Sequence, residues 1–202
     1  VFRVACTLRS VRMLKTQQSG CLNFSFYHRN TYPTSKIDSN LYRSYSGNDL
    51  RRQIFFTDNG DGTYWFKGSY TQSISLFDGI ATDEIYLIKA ECQAREGKTE
   101  DAMTTLNTLL VNRWKEGTFI PLSATDEKSG LKTILAERRK ELIFRGLRWT
   151  DLKRLNKEPA FQQTLERNLN GVEYKLEPGD NRYALPIPQS VIKISGIEQN
   201  PR

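Results

Sequence analysis

Residues 82–110 read TDEIYLIKAECQAREGKTEDAMTTLNTLL, two helix patterns in immediate succession. Thr82 offers a hydroxyl to cap the first helix, and Asp83 and Glu84 fall in its first turn, where the helix dipole favours negative charge. Tyr86, Leu87, Ala90 and Ala94 recur at helical spacing, and Gly97 stands where a left-handed residue closes a helix. Thr99 is the expected cap of the second helix, with Glu100 and Asp101 in its first turn. Its apolar stripe is Ala102, Leu106, Leu109 and Leu110, and the helix ends before Gly117. Two amphipathic helices joined this closely pack antiparallel as a hairpin. The spacing of Ala90, Gly97, Ala102 and Leu106 matches the small and large positions of a tetratricopeptide helix pair. A single pair cannot bury its own face, so the rest of the chain, or further repeats, must cover it.

Downstream, the pattern predicts a helix over 129–145 with Leu131, Ile134, Leu135, Arg138, Leu142 and Arg145 on or near one face. Arginines in such a stripe are tolerated only when paired. Glu141 lies three residues from Arg138 and four from Arg145, so a buried ladder of these three is predicted. Glu137 and Glu141 as an acid/base pair would need one carboxyl with a raised pKa. The neighbouring arginines act in the other direction, so no catalytic residue is assigned. A short helix follows at 149–155 and breaks at Pro159. After Gly171 the chain reads as polar and extended, and Pro186 and Pro188 at alternate positions impose a polyproline-like tail.

Upstream, residues 1–80 are rich in Tyr, Phe, Ser, Asn and Gly and read as a loop-rich, aromatic-rich segment packed on the helices of 81–202. Asn59-Gly60-Asp61-Gly62 lies between Gln53-Ile54-Phe55-Phe56 and Tyr64-Trp65-Phe66, which predicts a short hairpin or an irregular loop pair. The first forty residues show no clear period.

Composition narrows the function classes. The 202 residues, 38% hydrophobic and 26% charged, describe an ordinary globular chain, one sizeable domain or a piece of something larger. The longest apolar run, Ile85-Tyr86-Leu87-Ile88, is far short of the roughly 20 residues of a membrane span. Cys6, Cys21 and Cys92 form no CxxC and the one histidine is His28, so no zinc-finger ligand set is present and free buried thiols are expected. The formal charge of +7 is concentrated ahead of the first acidic residue, Asp38, in Arg3, Arg9, Arg12, Lys15, Arg29 and Lys36. No nucleic-acid recognition module accompanies it, so this charge reads as a solvated basic segment. With neither an initiator Met nor a signal-peptide core, the chain reads as mature or truncated.

Residues 137–156, ERRKELIFRGLRWTDLKRLN, resemble the carboxyl-terminal signature of the SusD/RagB family of surface glycan-binding lipoproteins of Bacteroidetes. Three further pieces agree in order. They are ATDEIYLIKAE at 81–91, Leu106-Asn107 with Arg113, and Leu185-Pro186-Ile187-Pro188 followed by Gln199-Asn200-Pro201. The Tyr-rich region from about Tyr42 extends the likeness upstream.

The resemblance implies a mainly α fold of tetratricopeptide-like helix pairs, with long irregular loops and an extended C-terminal tail. It makes Arg145, Arg148, Trp149 and Asp151 fold determinants. It also implies a non-enzymatic, surface-exposed binder on the outer membrane, without cofactor or metal. Such a protein would pass oligosaccharide or polysaccharide, or another nutrient, to a SusC-like TonB-dependent transporter. Family members are more than twice this length, so the chain reads as the carboxyl-terminal part of a full protein or as an unusually short relative. Neither Cys6 nor Cys21 sits in a lipobox, so any lipid anchor lies elsewhere.

Composition then places the ligand-binding candidates at Tyr64, Trp65 and Tyr70, beside the Asn-Gly-Asp-Gly turn, with Trp65 foremost. Sugar rings stack their C–H faces on such aromatics. The competing reading makes these residues core against the helix pair. The competing function is a helical-repeat adaptor that binds a protein on the concave face of the pair.

Overall fold

The computed structural model describes residues 36–69, 76, 77 and 79–201. The chain divides into two compact units, Val1–Arg145 and Gly146–Arg202.

In the first unit, α1 (Ser39–Arg43) starts where the Asp38 side chain accepts from the Asn40 amide, and α2 (Leu50–Phe55) where Asp49 accepts from Arg51. α2 runs directly into β1 (Phe56–Asp58), which pairs antiparallel with β2 (Tyr64–Phe66). The predicted hairpin is therefore present, but Gln53-Ile54-Phe55 belongs to the helix and only Phe56 to the strand. The Ile37 amide donates to the Tyr64 carbonyl at 2.8 Å, which lays the start of the described chain alongside β2.

The helix pair is α3 (Thr82–Arg95) and α4 (Thr99–Leu110), and it is followed by a 3-10 turn at Val111–Arg113. Gly97 closes α3 with φ 77°, a conformation that costs a residue with a Cβ. Neither expected threonine cap forms. Ala81 and Lys98 take the cap positions without side-chain bonds, and Thr82 and Thr99 are the first helical residues. In α3 the Asp83 carboxylate accepts from the Glu84 amide at 2.7 Å, supplying an acceptor that the threonine does not.

α5 (Glu127–Glu141) opens with a capping box, Asp126 and Ser129 each bonding the other's backbone. It starts two residues before the predicted helix and stops four before its predicted end. The chain leaves the helix at Leu142, and Phe144 takes a left-handed φ of 56°. α5 packs against both helices of the pair and so covers the face that a single pair leaves open. The core is Leu87, Ala90, Ala94, Ala102, Leu106, Leu110 and Ile134, all fully buried. Asn107 bonds both the amide and the carbonyl of Leu122, at 2.9 and 2.8 Å, pinning the loop between α4 and α5 onto the pair. Ala90 and Ala102 are both 0% exposed. Enlarging either to Leu should overpack the helix contact and cost about 1–3 kcal/mol, read as a lower urea midpoint at unchanged m-value. A variant as stable as the parent would mean that the helices do not meet at these alanines.

The second unit begins with α6 (Arg148–Leu155), whose Leu152 and Leu155 are buried. The Trp149 indole donates to the Tyr183 carbonyl at 3.2 Å, and the Asn156 side chain donates to the Tyr183 hydroxyl at 2.9 Å. The segment after Gly171, expected to be polar and extended, begins with the extended strand β4 (Val172–Leu176), whose antiparallel pairing with β3 (Leu165–Leu169) the sequence reading did not anticipate. Asn170 and Gly171, with φ 53° and 83°, make the doubly left-handed turn that suits such a hairpin. The tail keeps extended backbone at Leu185–Pro188 and then forms α7 (Gln189–Ser195). Gln199 bonds both backbone groups of Ile187, at 2.8 and 3.0 Å, and Asn200 donates to the Leu185 carbonyl at 2.6 Å. The two halves of the tail motif are thus a single hydrogen-bonded clasp. The fold is mainly α, as expected.

Candidate functional site

α2 holds two consecutive arginines with opposite surroundings. Arg51 is 1% exposed and its donors are shared among three carboxylates. It bonds Asp49 through Nε and Nη2 at 2.9 and 2.7 Å, Glu137 at 2.8 Å and Glu141 at 3.0 Å. Arg113 reaches the other Glu141 oxygen at 2.7 Å, and Lys140 pairs with Glu137. Burial pushes the Arg51 pKa down, but the Asp49 bonds and the charges of Glu141 and Glu137 outweigh it and the net shift is upward. Beside this centre the Tyr45 hydroxyl donates to the Lys140 carbonyl at 2.8 Å, and burial raises its pKa.

The predicted ladder is therefore buried, but its pairing is corrected. Glu141 is taken by Arg51 and Arg113. Arg138 lies 3.9 Å from Glu84, and Arg145 lies 3.6 Å from Asp83 and 3.5 Å from Glu84. The i,i+3 spacing does operate for Glu137 with Lys140, whereas Glu141, at the end of α5, takes its cations from α2 and from the 3-10 turn. All four oxygens of Glu137 and Glu141 accept from cations, which leaves this centre a structural clamp. It locks α2 onto α5, and so positions the hairpin that leaves α2 directly.

That hairpin carries two of the three ligand candidates. In the register Phe56↔Phe66, Thr57↔Trp65 and Asp58↔Tyr64, alternation puts Phe56, Asp58, Tyr64 and Phe66 on one side and Thr57 and Trp65 on the other. The Phe56 side faces the core. Phe56 is buried against Tyr42 and Tyr45, at 5.5 and 5.2 Å between ring centroids, and Phe66 stacks on Phe144 at 4.5 Å. At the turn end of this side Tyr64 stacks on Tyr42, 3.5 Å apart and 15° from parallel. A hydrogen bond with Tyr42 raises the pKa of the Tyr64 hydroxyl. Arg52 completes the group, its guanidinium 4.6 Å from the Tyr42 ring centroid.

Trp65 is half-buried on the opposite side. Among the described residues its indole N–H has no hydrogen-bond partner, whereas that of Trp149 is committed to Tyr183. Tyr64 and Trp65 therefore offer two separate faces rather than one platform. Tyr70 lies outside the described residues, as do Cys6, Cys21 and His28, and Cys92, expected buried, is a free thiol on the exposed side of α3. Tyr42 and Arg52 escaped the sequence reading because stacking across two elements leaves no local period. No group of His, Cys, Asp and Glu among the described residues could hold a metal ion, and none of their helices is long and apolar enough to cross a membrane.

Solved structures share this architecture. A Bacteroides vulgatus ATCC 8482 protein described as "Putative sugar binding protein" superposes with a TM-score of 0.54 at 23% identity, over 80% of this chain and 37% of that one. A SusD superfamily protein from Bacteroides fragilis NCTC 9343 gives 0.53 at 18% identity, over 82% of this chain and 40% of that one. At these identities the likeness is one of fold, and this chain spans roughly two fifths of each relative's length. No curated protein matches the sequence. The sequence profile of the SusD family matches residues 80–202, from the helix pair through the Leu185–Asn200 clasp. With more than half of its length inside that match, the chain belongs to the SusD family.

Proposed function

We propose that this chain is part of a non-enzymatic, cell-surface glycan binder that hands its ligand to a TonB-dependent transporter in the outer membrane, to which a lipid anchor tethers it. Residues 81–202 act as the scaffold and the aromatic-rich segment before them supplies the ligand face. Beyond family membership, the observation that carries this reading is Trp65: half-buried, turned away from the Phe56 side, with an indole N–H that has no partner among the described residues. A sugar ring laid on that indole gains a stacking contact, and a sugar hydroxyl can accept from the N–H. Calorimetry against a panel of polysaccharides tests this, with wild type and Trp65→Ala compared. Loss of one aromatic contact of about 0.5–1.5 kcal/mol predicts binding weaker by roughly twofold to twelvefold. Unchanged affinity in a folded variant would move the platform elsewhere.

A protein-binding adaptor is the second reading, favoured by Ile85 and Ile88 on α3, which are 51% and 43% exposed. Charged substitutions at these two positions should leave glycan binding intact, and should abolish capture of a protein partner if the adaptor reading holds.

A further inference from the structure

We propose that the Tyr42–Tyr64 face of the hairpin selects acidic sugars, with Arg52 as the residue that receives the sugar carboxylate. This rests on the glycan-binding reading and narrows its ligand class.

Arg51 is saturated by Asp49, Glu137 and Glu141. Around the hairpin, Lys36 is paired with Asp61 at 2.9 Å and Arg139 with Asp38 at 3.0 Å. Arg52 has no carboxylate partner among the described residues, and what it meets instead is the Tyr42 ring at 4.6 Å. The Tyr42 ring and hydrogen bonds to the Tyr42 and Tyr64 hydroxyls hold the guanidinium in place, and the N–H edge they leave matches a carboxylate through parallel bonds. The adjoining Tyr64 ring supplies an apolar face and the two phenols supply hydroxyls. A pyranose bearing a carboxylate needs these three features side by side: a surface for its C–H face, partners for its hydroxyls and a fork for its charge. Asp58 is the one acid on this side of the ribbon, and its Oδ1 accepts from the Gly60 amide at 2.7 Å, which holds it in the turn.

The test is calorimetry on the whole chain with paired probes: oligogalacturonate, oligoglucuronate and oligomannuronate, each beside its carboxyl-reduced neutral form. At low ionic strength one acidic probe should bind about tenfold or more tighter than its neutral counterpart, and the advantage should shrink with added salt. Arg52→Gln should erase that preference, and Arg52→Lys should restore only part of it, since Lys keeps the charge without the fork. Circular dichroism checks that both variants are folded. Equal affinity for the acidic and neutral forms, or a preference that survives Arg52→Gln, overturns this inference and leaves glycan binding standing. Binding of neither form anywhere in the panel overturns both.

Discussion

Arg51→Ala should lower the unfolding free energy by roughly 3–5 kcal/mol, and Tm by between about 6 and 20 °C for a chain of this size. The substitution removes the one cation shared by Asp49, Glu137 and Glu141 and leaves three carboxylates around a desolvated gap. Ionised, they repel one another in a medium that screens poorly; protonated, they give up the hydrogen bonds that compensated their burial. Lys140 and Arg113 relieve part of this for Glu137 and Glu141, whereas the Asp49 carboxylate loses the fork that binds both of its oxygens. Arg52→Ala, one residue along, is the control and should cost about 1 kcal/mol or less, because that side chain carries no ion pair among the described residues. Urea unfolding of the two variants decides the matter. A loss below about 1 kcal/mol for Arg51→Ala would mean that solvent reaches the centre and that the clamp is superficial.

The second large effect is at Glu141, which is buried between Arg51 and Arg113. Glu141→Ala removes one of the three carboxylates bonded to buried Arg51 together with the carboxylate bonded to Arg113, and should cost roughly 3–5 kcal/mol. Its diagnostic value lies in whom it couples to. A double-mutant cycle with Arg51 should return an interaction of about 1.5–3 kcal/mol, and a cycle with Arg138 under about 0.5 kcal/mol. The helical spacing alone predicts the reverse order, because Arg138 is one turn away and Arg51 is 90 residues away in the chain. A strong Arg138–Glu141 coupling would restore the intrahelical ladder and refute the pairing described above.

The helix pair, its stop at Gly97 and the buried small positions Ala90 and Ala102 were readable in residues 82–110, since each depends on neighbours within a turn or two. The caps were readable only to within a residue: a threonine favours the cap position, but the backbone placed Ala81 and Lys98 there. The β3–β4 hairpin had its signal in Asn170-Gly171 flanked by Leu165, Leu169 and Val172, Tyr174, Leu176 at alternate positions, yet Arg167 interrupts the apolar side and both strands are largely exposed, so the period is weak.

The candidate site divides in the same way. That aromatics cluster near a tight turn is a property of chain order, and so is the rule that Arg138, Glu141 and Arg145 cannot be buried without counter-charges. Which counter-charge each receives is not, and neither is the separation of Tyr64 from Trp65 onto opposite sides of the hairpin or the placing of Arg52 on Tyr42. Local patterns record preferences of the backbone over three or four residues. Contacts such as Arg51–Glu137, 86 residues apart, arise from how whole elements pack, and packing is selected by the burial of every face at once rather than by any pair of positions along the chain.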